Sequence, residues 1–252
     1  AYTGNIPGTS TEVTFDTQLV SEEGPAFLPN IYASYRIHEL VAAGVGFYAP
    51  YGLTVLWPES TSANGQDVSW WGRGIVQRIA LETIFLNPTV AVKVHDRVYV
   101  GAGVNVIKSA VTLDRRVTLS SSLEDDIDVK LSADTWGVGA TAGVLIKVLP
   151  DLLNVGINYR SAAKLSFEGS AGFTKDGSVD NISTGLRTRL VDDNVEGELT
   201  LPHVIGFGIA AFPLDDLTVG FNFEVTTWST YDELAFDFEN NPDRKSTRLN
   251  SS

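Results

Sequence analysis

The stretch Ile79–Lys108, IALETIFLNPTVAVKVHDRVYVGAGVNVIK, consists of two alternating arms joined by the polar turn His95-Asp96-Arg97. In each arm, apolar residues recur with a period of two, which predicts a strand with one apolar face. Both arms exceed the ~5–6 residues that are typical of strands in soluble proteins. Long alternating arms on a tight turn are typical of transmembrane β-hairpins. The apolar positions are Ile84, Leu86, Pro88, Val90, Val92 and Val94, then Val98, Val100, Ala102, Val104 and Val106.

The same alternation continues on both sides of this hairpin. About nine strands are predicted in all, the others at 9–19, 28–37, 40–51, 131–148, 152–167, 201–212 and 217–231. Short turns near residues 38, 95, 150 and 215 alternate with long polar loops near 21 and at 52–74, 114–126 and 169–194. Outer-membrane barrels sort their connections in this way, with short periplasmic turns and long extracellular loops. The sequence therefore predicts an all-β protein, an antiparallel transmembrane β-barrel.

The strand predicted at 131–148 has the length of a membrane span. From Trp136 to Val148 it extends roughly 43 Å at ~3.3 Å per residue. Tilted at about 45°, it crosses roughly 30 Å, the thickness of the hydrocarbon layer. Trp136, Tyr159 and Trp228 lie near predicted strand ends, where the aromatic girdles of such barrels lie.

Composition excludes several other classes. The sequence has no run of ~18 apolar residues that could form a transmembrane helix. Cysteine is absent, which excludes disulfides and thiol catalysis. The formal net charge is -13 without a basic face, so nucleic acid is not an expected partner. The glycine pairs lie inside predicted strands and no Gly-x-Ser-x-Gly elbow is present, so neither a cofactor nor an enzymatic activity is expected.

The two ends of the sequence depart from the barrel pattern. Residues 245–252, KSTRLNSS, are abruptly basic and polar and continue no strand, so we expect them to be a non-native tail. Residues 1–244 are predicted to be a transmembrane β-barrel segment. Methionine is absent, so the chain has no initiator residue and is expected to be a mature or internal part of a protein.

Several segments, in this order and spacing, resemble one known family. They are Gly46–Leu53, Trp71–Arg73, Leu86–Lys93, Val100–Val104, Gly156–Ser161, Leu201–Pro202 and Thr227–Tyr231. Over roughly residues 1–234 the chain resembles the FadL/TodX family of outer-membrane transporters of long-chain fatty acids and other hydrophobic compounds. The resemblance implies a barrel of about 14 strands in the bacterial outer membrane. It also implies an N-terminal hatch, an outer hydrophobic groove, an inner pocket and a lateral opening.

This chain departs from the family pattern at both ends. It starts at about the first strand and ends before the last strands. We therefore expect a barrel segment truncated at both ends, without the hatch. These missing segments bear on whether this chain can transport by itself, and not on the family that it resembles.

The predicted loop at 52–74 is unusually apolar. Three tryptophans in an exposed loop are expected to pack on something or to bind something apolar. One interpretation places them on the barrel rim or at the lipid interface. The other makes them line the outer groove that the resemblance implies. The candidate groove residues are Leu53, Val55, Trp57, Trp70 and Trp71.

Three further residues complete the predicted substrate-binding set. Arg73 and Arg78 could hold a fatty-acid carboxylate, because arginine offers bidentate geometry. The alternative for each is a pairing with Glu82 or with a lipopolysaccharide phosphate. Phe85 interrupts a mostly polar inward face, which suits an apolar lumen pocket or packing against the hatch. No catalytic or metal-binding residue is predicted, since the acidic stretches 124–128 and 192–193 lack a spaced ligand motif.

The predicted function is passive transport of long-chain fatty acids or similar hydrophobic molecules across the outer membrane. The expected surroundings are outer-membrane lipid and lipopolysaccharide, and the expected state is a monomer. One alternative is a non-specific diffusion porin, which would need a charged constriction and a wet lumen. The other is an outer-membrane hydrolase that would use His203 with a facing serine.

Overall fold

The computed structural model describes residues 2–5, 12–15, 28–57, 60–63, 66–69, 76–118, 126–175, 192–230, 233–239 and 249–250. Apart from a short 3-10 turn at Trp228–Thr230, the regular structure of these residues is β-strand. None of them belongs to a helix that is long and apolar enough to cross a membrane. The strands are β1 (Tyr2–Asn5), β2 (Glu12–Phe15), β3 (Asn30–His38), β4 (Val41–Tyr48), β5 (Gly52–Leu56), β6 (Ser60–Ala63), β7 (Gln66–Ser69), β8 (Arg78–His95), β9 (Val98–Thr118), β10 (Asp126–Leu149), β11 (Leu153–Arg160), β12 (Ala163–Lys175), β13 (Asp193–Leu201), β14 (Val204–Leu214), β15 (Leu217–Thr226), β16 (Glu233–Phe238) and β17 (Leu249–Asn250).

A 13-stranded sheet, whose paired strands are antiparallel, contains most of these strands. Its main path is β17-β16-β13-β12-β10-β9-β8-β4-β3, while β11, β14 and β15 extend from β10 and β5 pairs with β8. A 4-stranded sheet has the order β1-β2-β6-β7. The register places the turns of β3–β4, β8–β9, β10–β11 and β14–β15 at one end of the large sheet. We call this end of the sheet the lower half and the opposite end the upper half.

The predicted central hairpin forms as β8 and β9, with Asp96 and Arg97 in the turn between them. The apolar positions predicted for one face of β8 are exposed. On the opposite face of β8, Thr83, Phe85 and Asn87 are buried. We call the face that carries the buried residues the inner face of the sheet, and the other the outer face.

The apolar residues change faces at the same level in three neighbouring strands. On β10, exposed apolar side chains occupy the outer face from Trp136 downwards, whereas buried apolar side chains occupy the inner face above it. On β9 the change falls between the exposed Val104 and the buried Ile107. On β8 it falls between the exposed Ile84 and the buried Phe85.

A lysine and a tryptophan mark this level on the outer face. Ile84, Lys108 and Trp136 are register partners on β8, β9 and β10. Lys108 Nζ lies 5.2 Å from the centroid of the Trp136 ring and forms an ion pair with Asp134. An aromatic ring with a cation beside it suits the interface between lipid and water. We call this level the boundary level.

The predicted single strand at 152–167 is wrong, because the chain forms two strands there, β11 and β12. Both pair with β10, but the pairing register slips at Ser161 and Ala162. Ile157 and Tyr159 are therefore exposed on the outer face, whereas Leu165 is buried on the inner face. The alternation in the sequence runs unbroken through this slip, so the pattern of residues does not reveal it.

The upper ends of the strands extend further than predicted. Within the predicted loop at 114–126, residues 114–118 belong to β9 and Asp126 begins β10, and the rest lies outside the described residues. Within the predicted loop at 169–194, the first residues, up to Lys175, belong to β12 and the last two to β13, and residues 176–191 lie outside the described residues. Above the boundary level the outer face is polar, so these ends have the composition of a loop. The structure consequently has 17 described strands rather than about nine, including β5, β6 and β7 in the predicted loop at 52–74.

At the two ends of the chain, the structure describes only parts of the predicted elements. Of the weak strand predicted at 9–19, Glu12–Phe15 forms β2, and the rest lies outside the described residues. The last predicted strand, 217–231, ends earlier, at Thr226. In the predicted tail at 245–252, Leu249–Asn250 pairs with β16. That the tail is non-native stays a prediction.

The face change predicts unequal costs for one substitution at two outer-face positions of β10. Ala142→Arg, in the apolar band, should destabilise the barrel by about 2–4 kcal/mol, because the charge must enter the lipid. Ser132→Arg, above the boundary level, should cost less than ~1 kcal/mol. Urea unfolding of the complete protein in lipid vesicles measures both. Equal costs at the two positions would show that no such boundary crosses β10.

Candidate functional site

Above the boundary level, the inner face is a closely packed apolar core. Phe85 of β8, Phe167 of β12 and Phe236 of β16 are each at most 2% exposed. Aliphatic side chains of β9, β10, β12 and β13 fill the space between these rings. This upper part of the inner face therefore offers an apolar environment. The core consists of Phe85, Ile107, Val111, Leu113, Leu131, Ala133, Ala163, Leu165, Phe167, Ala171, Val195, Leu199, Leu201 and Phe236.

Below the boundary level, the inner face is a shallow groove of about 800 Å³. Its lining comes from β8, β9, β10, β11, β14 and β15, and glycine, asparagine and threonine make up 11 of its 23 residues. Because glycine has no side chain, the backbone of the strands forms much of the floor of the groove. Among the described residues, Glu224 is the one charged side chain that lines it. The glycines and asparagines are Gly101, Gly143, Gly156, Gly206, Gly208, Gly220, Asn154, Asn158 and Asn222.

Arg160 lies where the core meets the groove, at the end of β11. It faces inwards, because its register partner on β10 is Thr141, which lines the groove. The guanidinium carbon lies 5.3 Å from the ring centroid of Tyr51 and 5.8 Å from that of Phe85. One terminal nitrogen donates to the Tyr51 hydroxyl at 3.2 Å. The buried Nε atom has no hydrogen-bond partner among the described residues.

A polar network on β4, β8 and β9 adjoins this arginine. Asn87 Nδ2 donates to Asn105 Oδ1 at 2.7 Å and to the Val104 carbonyl at 3.2 Å. The Tyr48 hydroxyl donates to the same Asn105 oxygen at 3.2 Å. Pro88 has no N–H group, and the β8–β9 register skips Asn87 and Pro88, so the Asn87 side chain replaces a missing ladder bond. This network satisfies the Asn87 amide and the Tyr48 hydroxyl, whereas Asn105 Nδ2 is buried without a hydrogen-bond partner among the described residues.

The breaks between β11 and β12 and between β13 and β14 are also bridged by side chains. Ser161 Oγ accepts a hydrogen bond from the Ala140 amide at 2.9 Å. His203 Nδ1 accepts one from the Ala162 amide at 3.1 Å and lies 2.7 Å from the Tyr159 hydroxyl. With Nδ1 engaged by a backbone donor, the neutral ring carries its proton on Nε2. No serine of the described residues hydrogen-bonds to His203, so the geometry gives no support to the hydrolase alternative.

The structure brings three of the predicted site residues to one face. Leu53 and Val55 of β5 are paired with Leu81 and Ile79 of β8, on the inner side that also carries Phe85. Leu53 is 50% exposed, so its surface is available to a ligand. Val55 is half-buried, and Phe85 belongs to the core. Leu53 and Val55 could contact one apolar ligand, whereas Phe85, at 2% exposed, is packed inside the core.

The other two predicted site residues that the structure describes, Trp57 and Arg78, do not join them. Arg78 faces outwards, opposite Asp114, so it does not share a face with Phe85. Trp57 is half-buried, and its amide donates to the Gln77 carbonyl at 2.8 Å. Trp70, Trp71 and Arg73 lie outside the described residues. The groove of tryptophans and the arginine pair therefore stay predictions.

Arg160 was missed as a site residue, although the sequence contains a signal for it. It is a charged residue at an inward position of an otherwise uncharged strand, which is unusual inside a membrane. Arg115, higher up on β9, is a second inward arginine, and burial lowers the pKa of its guanidinium. Within the part of the chain that the structure describes, no group of three or more acidic or histidine side chains could hold a metal ion.

Comparisons with known proteins identify the fold and the family. A model of the family described as "Outer membrane protein transport protein (OMPP1/FadL/TodX)" matches residues 3–251. Outer membrane protein P1 of Haemophilus influenzae is 23% identical over 243 residues, which cover 85% of this chain and 48% of that protein. The chain thus spans about half the length of this relative.

Two solved structures share the architecture. A FadL homologue of Pseudomonas aeruginosa superposes with a TM-score of 0.74 at 18% identity, covering 89% of this chain and 53% of the homologue. The CymD monoaromatic hydrocarbon channel gives a TM-score of 0.61 at 18% identity, covering 92% of this chain and 63% of the channel. The predicted antiparallel transmembrane β-barrel and its location in the bacterial outer membrane are confirmed. The chain belongs to the OMPP1/FadL/TodX family of outer-membrane transport proteins.

Proposed function

We propose that this chain is part of a passive transporter that carries long-chain fatty acids or similar hydrophobic molecules across the outer membrane. One observation carries the proposal: the inner face changes from a packed apolar core to a glycine-rich groove at the boundary level. A hydrophobic molecule would find apolar contacts in the upper half and, in the lower half, a path on which Glu224 is the one charged side chain among the described lining residues. No covalent chemistry is required, so the protein is not expected to be an enzyme.

Capture would begin on the apolar surface near the upper end of the barrel. The exposed Leu53, with Val55 beside it, would form the described part of this surface. Trp57, Trp70 and Trp71 would enlarge it. Burying an alkyl chain yields ~0.8 kcal/mol per CH₂, so ten methylenes supply roughly 8 kcal/mol before the cost of ordering the chain. A binding free energy of this size is sufficient for capture of the ligand at low concentration.

Of the two similar structures, one carries a substrate in its name. One is called a FadL homologue and the other a monoaromatic hydrocarbon channel. We propose a long-chain amphiphile for this protein because the apolar core is long as well as wide. It spans β9 from Ile107 to Leu113 and continues onto β16 at Phe236. An aromatic hydrocarbon would use a fraction of that surface.

The diffusion porin fits the inner face less well. A porin lumen is polar and filled with water. Here, buried phenylalanine, leucine and valine side chains occupy the upper inner face, and Glu224 is the one acidic side chain among those that line the lower groove. Planar-bilayer conductance separates the two functions, because a porin gives a large, steady, ohmic current.

Replacing the loop tryptophans tests the capture surface. We expect Trp70→Ala/Trp71→Ala to slow uptake of a labelled long-chain fatty acid by about tenfold, because a loss of ~1.4 kcal/mol of apolar contact is enough for that factor. The complete protein would be expressed in cells that lack their own fatty-acid transporter. Trp136→Ala, on the outer face at the boundary level, is the matched control and should leave uptake unchanged.

Two outcomes of this assay would count against different parts of the proposal. Uptake that is unaffected by the double substitution would remove these tryptophans from the site and leave the transporter intact. If the complete protein binds no amphiphile above background, the transport proposal itself fails.

Filling the glycine groove tests the lower part of the path. A Cβ atom at Gly156 would lie 3.7 Å from Leu145 Cδ1, which is an ordinary contact. Gly156→Leu should therefore leave the barrel folded and slow uptake severalfold, since the side chain enters the groove. A Cβ atom at Gly206 would instead collide with the Asn158 side chain, so Gly206→Leu should lower the unfolding midpoint as well.

Uptake rates and urea midpoints, measured together, distinguish these effects. If Gly156→Leu folds normally and transports at the unmodified rate, the substrate does not pass over this groove.

A further inference from the structure

We propose that Arg160 determines specificity inside the barrel by binding the anionic headgroup of an amphiphile as it passes from the apolar core into the glycine groove. The inference rests on the proposed function and adds a residue and a position to it. Arg160 lies on the inner face, beside Phe85 of the core and level with Thr141 of the groove. A ligand that moves between these two regions must pass its guanidinium.

The charge of Arg160 has no acidic counterpart among the described residues. An ionised side chain in a low-dielectric environment is normally paired, because desolvation without a partner is costly. Arg160 is partly buried on the inner face, beside the rings of Tyr51 and Phe85, where its charge is poorly solvated. Its Nε atom is buried without a hydrogen-bond partner in the described part of the chain. An anionic ligand would satisfy both the charge and this donor.

Aromatic rings hold the guanidinium in place for such a ligand. Tyr51 and Phe85 lie within 5.3 Å and 5.8 Å of the guanidinium carbon, and the Tyr51 hydroxyl accepts one of its N–H groups. Contacts with two rings and one hydroxyl leave further N–H donors of the planar group for a carboxylate or phosphate. A group whose orientation is fixed in advance loses less entropy when it binds.

Among the described residues that line the groove, Glu224 is the one charged side chain, so Arg160 is the cationic group that an anionic headgroup meets there. Asn158 and Thr141 are its neighbours on β11 and β10. Glu224 is on β15, two strands from β11, and forms no ion pair with Arg160. A neutral hydrocarbon would gain nothing from Arg160, whereas an anionic amphiphile would gain charge-assisted hydrogen bonds. Arg160 would therefore favour acids over hydrocarbons of the same length.

The test compares two ligands that differ in their headgroup alone. The complete protein, purified from outer membranes, would be titrated with hexadecanoate and with hexadecanol. We expect Arg160→Gln to weaken hexadecanoate binding by about tenfold to a hundredfold and to leave hexadecanol within twofold, because hydrogen bonds to a charged group are lost for one ligand alone. Arg160→Lys keeps the charge without the planar fork and should lose severalfold. Arg97→Gln, in an exposed turn, is the matched control.

Each other outcome overturns the proposal in a recognisable way. Equal weakening of both ligands would make Arg160 a structural clamp between Tyr51 and Phe85. No change in either would show that the ligand does not reach it. Heat-modifiable migration on gels reports barrel folding, and if Arg160→Gln does not fold, Arg160→Lys decides the same comparison. If the unmodified protein binds hexadecanol as tightly as hexadecanoate, the inference about Arg160 fails and the proposed transport function stands. If it binds neither, the proposed transport function fails.

Discussion

The structure depends on one constraint: in lipid the apolar side chains must face outwards, and above the lipid they must face inwards. Backbone groups in a bilayer need full pairing, so the strands cannot stop at the surface of the membrane to meet this demand. They continue through the boundary level and exchange faces there. Trp136 and Lys108 lie at that level on the outer face, and Phe85 and Ile107 lie near it on the inner face.

The chain makes this exchange in two physically different ways. In β8, β9 and β10 the backbone is continuous, and the apolar residues change from even-numbered positions in the lower half to odd-numbered positions in the upper half. Between β11 and β12, and between β13 and β14, the apolar residues stay at odd-numbered positions and the backbone slips instead. Such a slip leaves amide groups without ladder partners, and Ser161 and His203 bind two of them. Arg160 and the proposed ligand path lie directly beside these slips.

Much of the lower half could be predicted from the sequence, because period-2 alternation is a strong signal where one face meets lipid. The faces of the central hairpin and the four short turns follow from it. The slip at Ser161 could not be predicted, since the alternation passes through it unchanged. The upper strand ends have a polar outer face, so the sequence predicts loops there. Among the predicted site residues, Leu53, Val55 and Phe85 do share a face. To identify Arg160 as part of the site, one must also know that the rings of Tyr51 and Phe85 lie beside it, and this depends on tertiary contacts.

The face exchange on β10 is the central claim, and site-directed spin labelling tests it most directly. The chain contains no cysteine, so single cysteines can be introduced at Ala133, Ser132 and Ala142 of the complete protein in lipid vesicles. A label at Ala142 should collide with oxygen, which concentrates in lipid, and a label at Ser132 with a water-soluble nickel chelate. A label at Ala133 should be reached by neither. If Ser132 and Ala142 show the same preference for oxygen, the apolar face does not change sides on β10 and the account is wrong.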